Sequence, residues 1–238
     1  MVQNRYPCDH IVPVEQEPRH RLVMSNEFVR FFLVEIAPHD RTLCHHHQHD
    51  YLMYVLGDAQ IVSALRNGEP SAHTYRGGDC DISSAGLVHV VENLKDTRFR
   101  NLLVELPPEV GELQRGGDPR IVAGRGVVET ILEEERISVW SLEMEADAQA
   151  EVWGPAIVVT LVAERLPQKD PGDIALKTDT VGDISWISSD RALLGSHLER
   201  AERAIVFQLG RTEEQLAAAR KRAGEPIKSR RAHADEPE

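Results

Sequence analysis

Short apolar runs rich in Val, Ile and Leu recur along the whole chain, at 28–36, 51–56, 60–65, 99–106, 137–144, 156–162 and 204–209. Gly, Pro, Asp and Asn punctuate them, with Asn67-Gly68 and Gly77-Gly78-Asp79 as turn signals. Runs this short match strands, while amphipathic helices need ten or more residues, so the rhythm predicts an all-β sandwich or barrel. The runs also repeat weakly. VRFFLVEI at 29–36 aligns with ISVWSLEM at 137–144, placing Val34-Glu35 over Leu142-Glu143 at an offset of 142 − 34 = 108. The segment 78–84 aligns with 182–188 at an offset of 182 − 78 = 104, and 99–106 aligns with 204–209 near the end of each half. Matches in one order at similar offsets predict a duplicated β domain. The Pro- and Gly-rich stretch 107–121 marks the seam, giving units at 1–115 and 116–210. Thr212 with Gln215 three residues on forms a capping-box pattern that predicts a helix over 212–223. Residues 226–238 are polar and charged, and read as a disordered tail closing a third segment, 211–238.

A length of 238 residues allows one large domain or two smaller ones. The net charge of −12 argues against nucleic acid or an anionic membrane as partner. The polar N-terminus has no signal-like apolar stretch, and no run is long enough to span a membrane. Cys8, Cys44 and Cys80 are odd in number and lack a Cys-x-x-Cys pattern, so a reduced, cytoplasmic protein without structural disulfides is expected.

Chemistry concentrates in His45-His46-His47-Gln48-His49-Asp50-Tyr51. In an extended strand His45, His47, His49 and Tyr51 share one face. Several imidazoles on one face suit zinc, iron, copper or nickel. Downstream lies Gly78-x5-Ser84-x-Gly86-x2-His89-x3-Asn93. Together with His45-x-His47, this spacing resembles the paired motifs of the cupin superfamily, with Ser84 where that family carries proline. Tyr54-Val55-Leu56-Gly57 is similar to the strand and turn that follow the first motif.

The resemblance implies two tandem cupin (double-stranded β-helix, jelly-roll) barrels with a short C-terminal helix. It implies that His45, His47 and His89 are ligands to one divalent ion, brought together across the barrel interior, in front of a cavity for a small molecule. The family's glutamate ligand is missing, because Tyr51 or Leu52 stands at its position. The fourth ligand is therefore Tyr51, His49 or water, and Tyr51 and His49 are also the candidate catalytic residues. Three-histidine cupins include dioxygenases, which puts iron first among the metals, with zinc, manganese or nickel as alternatives. A lyase, decarboxylase or isomerase chemistry and a non-catalytic small-molecule binder are the other readings. The offsets place Trp153, Pro155, Leu193 and His197 where the first half has His45, His47, His89 and Asn93, so the second half is expected to hold no metal. Its expected roles are packing, shaping the pocket, or contact in a homodimer.

Bland roles are expected for other residues. Asp50 could orient an imidazole from behind. Asn93 reads as a turn or strand-end residue, Cys44 and Cys80 as small buried residues, and Trp140, Trp153 and Trp186 as core. His10, His20, His39, His73 and His233 carry no assignment, and Glu133-Glu134-Glu135 reads as a solvated turn.

Overall fold

The computed structural model describes residues 6–145, 148–165, 177–188, 191–195 and 203–224. His197, His233 and the expected tail at 226–238 lie outside the described residues. The chain is almost wholly β. In the first half the strands are β1 (Val12–Pro13), β2 (His20–Ser25), β3 (Arg30–Ile36), β4 (His45–His46), β5 (Asp50–Val55), β6 (Ala59–Leu65), β7 (Ser71–Tyr75), β8 (Cys80–Ser83), β9 (Val88–Asn93) and β10 (Phe99–Leu106). They form two five-stranded sheets, ordered β1-β4-β9-β6-β7 and β2-β3-β10-β5-β8. Successive strands alternate between the sheets in much of this order, which is the winding of a double-stranded β-helix.

The second half contributes β11 (Arg120–Ala123), β12 (Gly126–Glu133), β13 (Ile137–Met144), β14 (Gln149–Trp153), β15 (Ala156–Arg165), β16 (Lys177–Ile187), β17 (Arg191–Leu194) and β18 (Arg203–Leu209). Its sheets run β11-β14-β17 and β12-β13-β18-β15-β16. The large sheets of the two halves correspond strand for strand. β3 matches β13, β10 matches β18 and β8 matches β16, which are the three segments the weak repeat aligns. No ladder joins a strand of residues 12–106 to one of residues 120–209 among those described. A 3-10 turn at Pro108–Glu112 begins the connection.

The two large sheets face each other. Phe31, Leu52, Tyr54, Leu102 and Val104 from the first pack against Ile137, Val139, Ile157, Ile205 and Phe207 from the second in one buried cluster. Phe207 meets Phe31 at 6.0 Å and Tyr54 edge-on at 6.2 Å. Residues of opposite parity, including Phe32, Val34, Tyr51, Val55, Phe99 and Leu103, turn into the first barrel. The corresponding set in the second barrel, Trp140, Leu142, Val152, Val158 and Val206, forms its own interior. Both faces of these sheets are buried, which accounts for the nearly continuous apolar reading of the strands.

The last element is helix α1 (Glu213–Gly224). Thr212 Oγ1 accepts from the Gln215 amide at 3.2 Å, and Gln215 Oε1 accepts from the Thr212 amide at 2.8 Å, completing the expected capping box. No helix among the described residues is long and apolar enough to cross a membrane. One expectation is overturned: Cys8 and Cys44 form a disulfide with a Cα–Cα separation of 5.2 Å, leaving Cys80 as the free thiol. The pair closes a loop across residues 36 apart in sequence, a partner search that counting three cysteines does not reveal. The cysteine-based case for a reducing compartment falls with it.

Candidate metal centre

The histidine segment is not one strand. β4 ends at His46, and β5 begins at Asp50 in the other sheet, so the chain crosses between sheets at residues 47–49. At the crossing the His47 amide donates to the Leu87 carbonyl at 2.9 Å, and the His47 carbonyl accepts from Gly86 at 2.8 Å. Gly86 and Gly78 have φ of +87° and +98°, a region open to glycine and strained for other residues. Gly86 thus makes the turn that holds His47, while the Gly78 amide donates to the Val55 carbonyl at the end of β5.

His45 and His47 are buried as expected, with 0% and 1% exposure. His49 is swung out by the crossing. It neither joins the imidazole cluster nor lines the cavity, and sits instead near the carboxylates of Glu15 and Glu105. Asp50 also departs from its expected role: it accepts from the Ala85 amide and pairs with Arg136. The arrangement of the motif strands differs too. β4 and β9 are antiparallel neighbours in one sheet, with His45 registered directly against His89.

A fourth imidazole completes the cluster. His20, at the start of β2, lies tilted 4.6 Å from His45 and edge-on 5.9 Å from His47, ring centre to ring centre. One ring nitrogen each from His20, His45 and His47 falls within 4.8 Å of the others. His89 abuts this trio, with its Nε2 3.1 Å from Nε2 of His45 and its ring 5.4 Å from that of His47. The only local hint of His20 is an acid three residues before it, Glu17, a spacing too common to single it out.

Each imidazole is held from behind through Nδ1. His20 Nδ1 lies 2.8 Å from Glu17 Oε2, and His47 Nδ1 lies 3.1 Å from Glu105 Oε1. His45 Nδ1 donates to the Leu43 carbonyl at 2.9 Å, and His89 Nδ1 meets the Ser63 hydroxyl at 3.1 Å. Carbonyl and carboxylate oxygens only accept, so each of the first three rings carries a proton on Nδ1, and a neutral ring so held presents its Nε2 lone pair. Ser63 can donate or accept. When it donates to His89 Nδ1, His89 Nε2–H is free to donate to His45. When its hydroxyl turns, Nδ1–H is held and Nε2 becomes a fourth lone pair.

Electrostatics favour neutral rings. Burial, followed by the neighbouring imidazoles, holds His45 and His89 well below the usual histidine range. Burial, then His20, His46 and the Arg30 charge, bring His47 down to about 3. Neutral imidazole is the form that binds a metal, so the donor set fits a divalent cation. Two buried carboxylates support it. Burial pushes Glu17 up, but hydrogen bonds from His20, Arg19 and Leu43 outweigh that and leave its pKa lowered. Burial raises Glu105 despite Arg30, whose guanidinium lies 2.9 Å away. Glu105 is the one carboxylate on the inward face of β10, alternating with Phe99, Asn101 and Leu103.

In front of the cluster is a cavity of about 240 Å³, bordered by His20, His47 and His89. Tyr51 is on its wall, stacked on His47 at 4.1 Å, and burial pushes its phenol up to about 12. The hydroxyl therefore stays protonated at neutral pH, with Ser83 hydrogen-bonded to it. Asn93, the last motif residue, is structural. Its amide nitrogen donates to the carbonyls of Ile36, Ala37 and Thr97, and its oxygen accepts from Lys95. In the second half Trp153 pairs with Arg191 and Leu193 with Glu151, and no imidazole stands in β14 or β17.

No protein-family model matches the chain, and no curated protein matches it. Among solved structures, a cupin domain from Bordetella pertussis is 22% identical over 37% of this chain and 91% of its own, with a TM-score of 0.35. A cupin-family protein with a double-stranded β-helix fold from Methanocaldococcus jannaschii is 14% identical over 45% of this chain and 93% of its own, with a TM-score of 0.33. AerE from Microcystis aeruginosa is 11% identical over 81% of this chain and 98% of its own, with a TM-score of 0.49.

Proposed function

We propose that this chain is a two-barrel, cupin-type metalloenzyme with one mononuclear centre in its first barrel. His45, His47, His89 and His20 hold the ion, and the seam between the barrels falls near residue 115. The observation that carries this reading is the cluster of four imidazoles fixed through Nδ1, three of which, His20, His47 and His89, border one cavity. Such second partners fix ring orientation and tautomer in metal sites, and an apolar wall has no use for four of them.

The substrate is a small organic molecule, and the reaction an oxidation by dioxygen with iron as the ion. Bound there, ferrous iron supplies redox chemistry with dioxygen, whereas zinc, manganese or nickel supplies polarisation of a carbonyl group. The chain's own residues set the stage. Tyr51 braces His47 through its ring, and Glu105 holds the far side of the same imidazole. Ile36, Ile61, Leu87, Val91 and Phe99 give the chamber an apolar side against which a substrate body can pack. His49 is left outside this machinery.

Elemental analysis of protein purified without added metal tests the reading. One equivalent of a divalent ion is expected, lost in both His47→Ala and His89→Ala. Full retention in either variant refutes the ligand set. Oxygen consumption restored by ferrous iron and not by zinc supports the oxidative reaction. Turnover with zinc and no oxygen uptake points to the non-redox one.

A further inference from the structure

Asn101 is an anomaly in the cavity wall. It sits at the middle of β10 with 2% exposure, and its Oδ1 finds no hydrogen-bond partner among the described residues. Its cross-strand neighbours are Val34 and Val55, neither of which offers a polar side chain. Around it the cavity is lined by Ile36, Phe99 and Leu103. Buried polar groups are nearly always satisfied, and an orphan on a ligand chamber calls for a partner that the protein does not supply. The contrast with Asn93, whose amide is fully engaged, is direct.

Charge narrows what that partner is. Apart from histidines, the only ionisable acid or base lining the cavity among the described residues, phenols aside, is Asp81, held by the Tyr75 hydroxyl at 3.1 Å. No lysine or arginine lines it, so an anionic group has no counter-charge away from the metal end. Position fixes the geometry: Asn101 lies four residues from Glu105 on the same strand face, about 13 Å along the strand. Val34 pairs with both His20 and Asn101, so Asn101 also lies two strands from His20, about 10 Å across the sheet, and a ligand held at the imidazoles needs a body of that order to reach it.

We propose that Asn101 is the specificity-determining residue of this cavity, presenting its amide to a hydroxyl or amino group at the far end of an uncharged or cationic small molecule with an apolar body. The proposal deepens the reading of a small-molecule metalloenzyme and rests on it for the cavity's purpose.

The test uses three probes of one shape: 4-(hydroxymethyl)phenol, 4-methylphenol and 4-hydroxybenzoate. Their affinities for the full chain are measured by calorimetry. The hydroxymethyl compound is expected to bind about tenfold more tightly than the methyl compound, the factor for one net hydrogen bond. The carboxylate is expected to bind more weakly than the hydroxymethyl compound. In Asn101→Leu the tenfold ratio collapses toward one, while metal content is unchanged. Asn101→Val, which matches its cross-strand neighbours, replaces that variant if it does not fold. Equal binding of the hydroxymethyl and methyl probes, an unchanged ratio in the variants, or no binding of any probe overturns the proposal. The ratio is read in metal-loaded and chelated protein alike. A chain that holds no metal but keeps the Asn101-dependent ratio therefore refutes the metal reading alone.

Discussion

The buried imidazoles make the metal-free fold sensitive to mild acid, and the size of the effect follows from their burial. His45 and His89 are held well below 6.5 and His47 is brought down to about 3, in each case first by burial. In the unfolded chain each returns to about 6.5, so below that pH the unfolded state binds protons that the folded state refuses. Stability is therefore undiminished above pH 6.5 and is lost as the pH falls from there toward the folded-state values. At pH 5.5, one unit below the unfolded value, each imidazole costs roughly 1.4 kcal/mol, and the three together roughly 4 kcal/mol. A domain's whole stability is about 5–15 kcal/mol. The lowered carboxyl of Glu17 acts below pH 4.5 and leaves this window alone. Glu105 works the other way, because its raised pKa costs stability above 4.5, and protonation relieves part of the loss. Single variants isolate the histidines. Urea unfolding of chelated protein at pH 7.5 and 5.5 should show the fall, and His45→Gln and His89→Gln should each shrink it by about 1.4 kcal/mol. A fall that stays the same in both variants refutes the claim that these rings are buried neutral.

Two further outcomes test separate parts of the structure. Glu105→Gln removes the carboxylate behind His47 and should weaken metal binding about 10- to 100-fold in a chelator competition, with His47 still present. Unchanged affinity would mean that Glu105 does not orient the ring. Thiol titration of unreduced, denatured protein should find one reactive cysteine, Cys80, and reduction should lower stability by about 4 kcal/mol for a loop of 36 residues. Three reactive thiols would contradict the Cys8–Cys44 bond.

The architecture was legible because strand rhythm is local: the segment 99–106 is β10 without change of boundary, and 137–144 is β13. The repeat was legible for the same reason, since paired segments kept both pattern and order. His45, His47 and His89 were legible through spacing. His20 was not, because its place depends on β2 pairing with β3, which no short-range pattern encodes. Parity failed at His49 because alternation holds only while a strand continues, and the chain leaves one sheet for the other at residue 47. Asn101 was invisible for a different reason. It reads as one polar residue in an apolar run, and only a three-dimensional wall shows that nothing answers it.

Among the described residues the second barrel holds no histidine, yet the geometry gives it a physical task. Alternate residues of β10 go two ways: Phe99, Leu103 and Glu105 look toward the first barrel's interior, and Leu102, Val104 and Leu106 look toward the second. β3 and β5 divide likewise, with Phe31, Leu52 and Tyr54 on the outer side. The sheet that carries Glu105, and through it His47, thus has apolar groups on both faces and cannot stand in water with one uncovered. Exposed patches of this kind drive association. Residues 1–115 expressed alone should therefore self-associate, and the full chain with Phe207→Ala should lose about 3–5 kcal/mol, since that ring contacts both Phe31 and Tyr54. Light scattering and urea unfolding measure the two effects. A monomeric, stable first half would show that the second barrel does not cover a face the metal site depends on. Association of the fragment, reversed by adding charged residues at positions 102 and 104, would tie the second barrel's retention to that face rather than to any chemistry of its own.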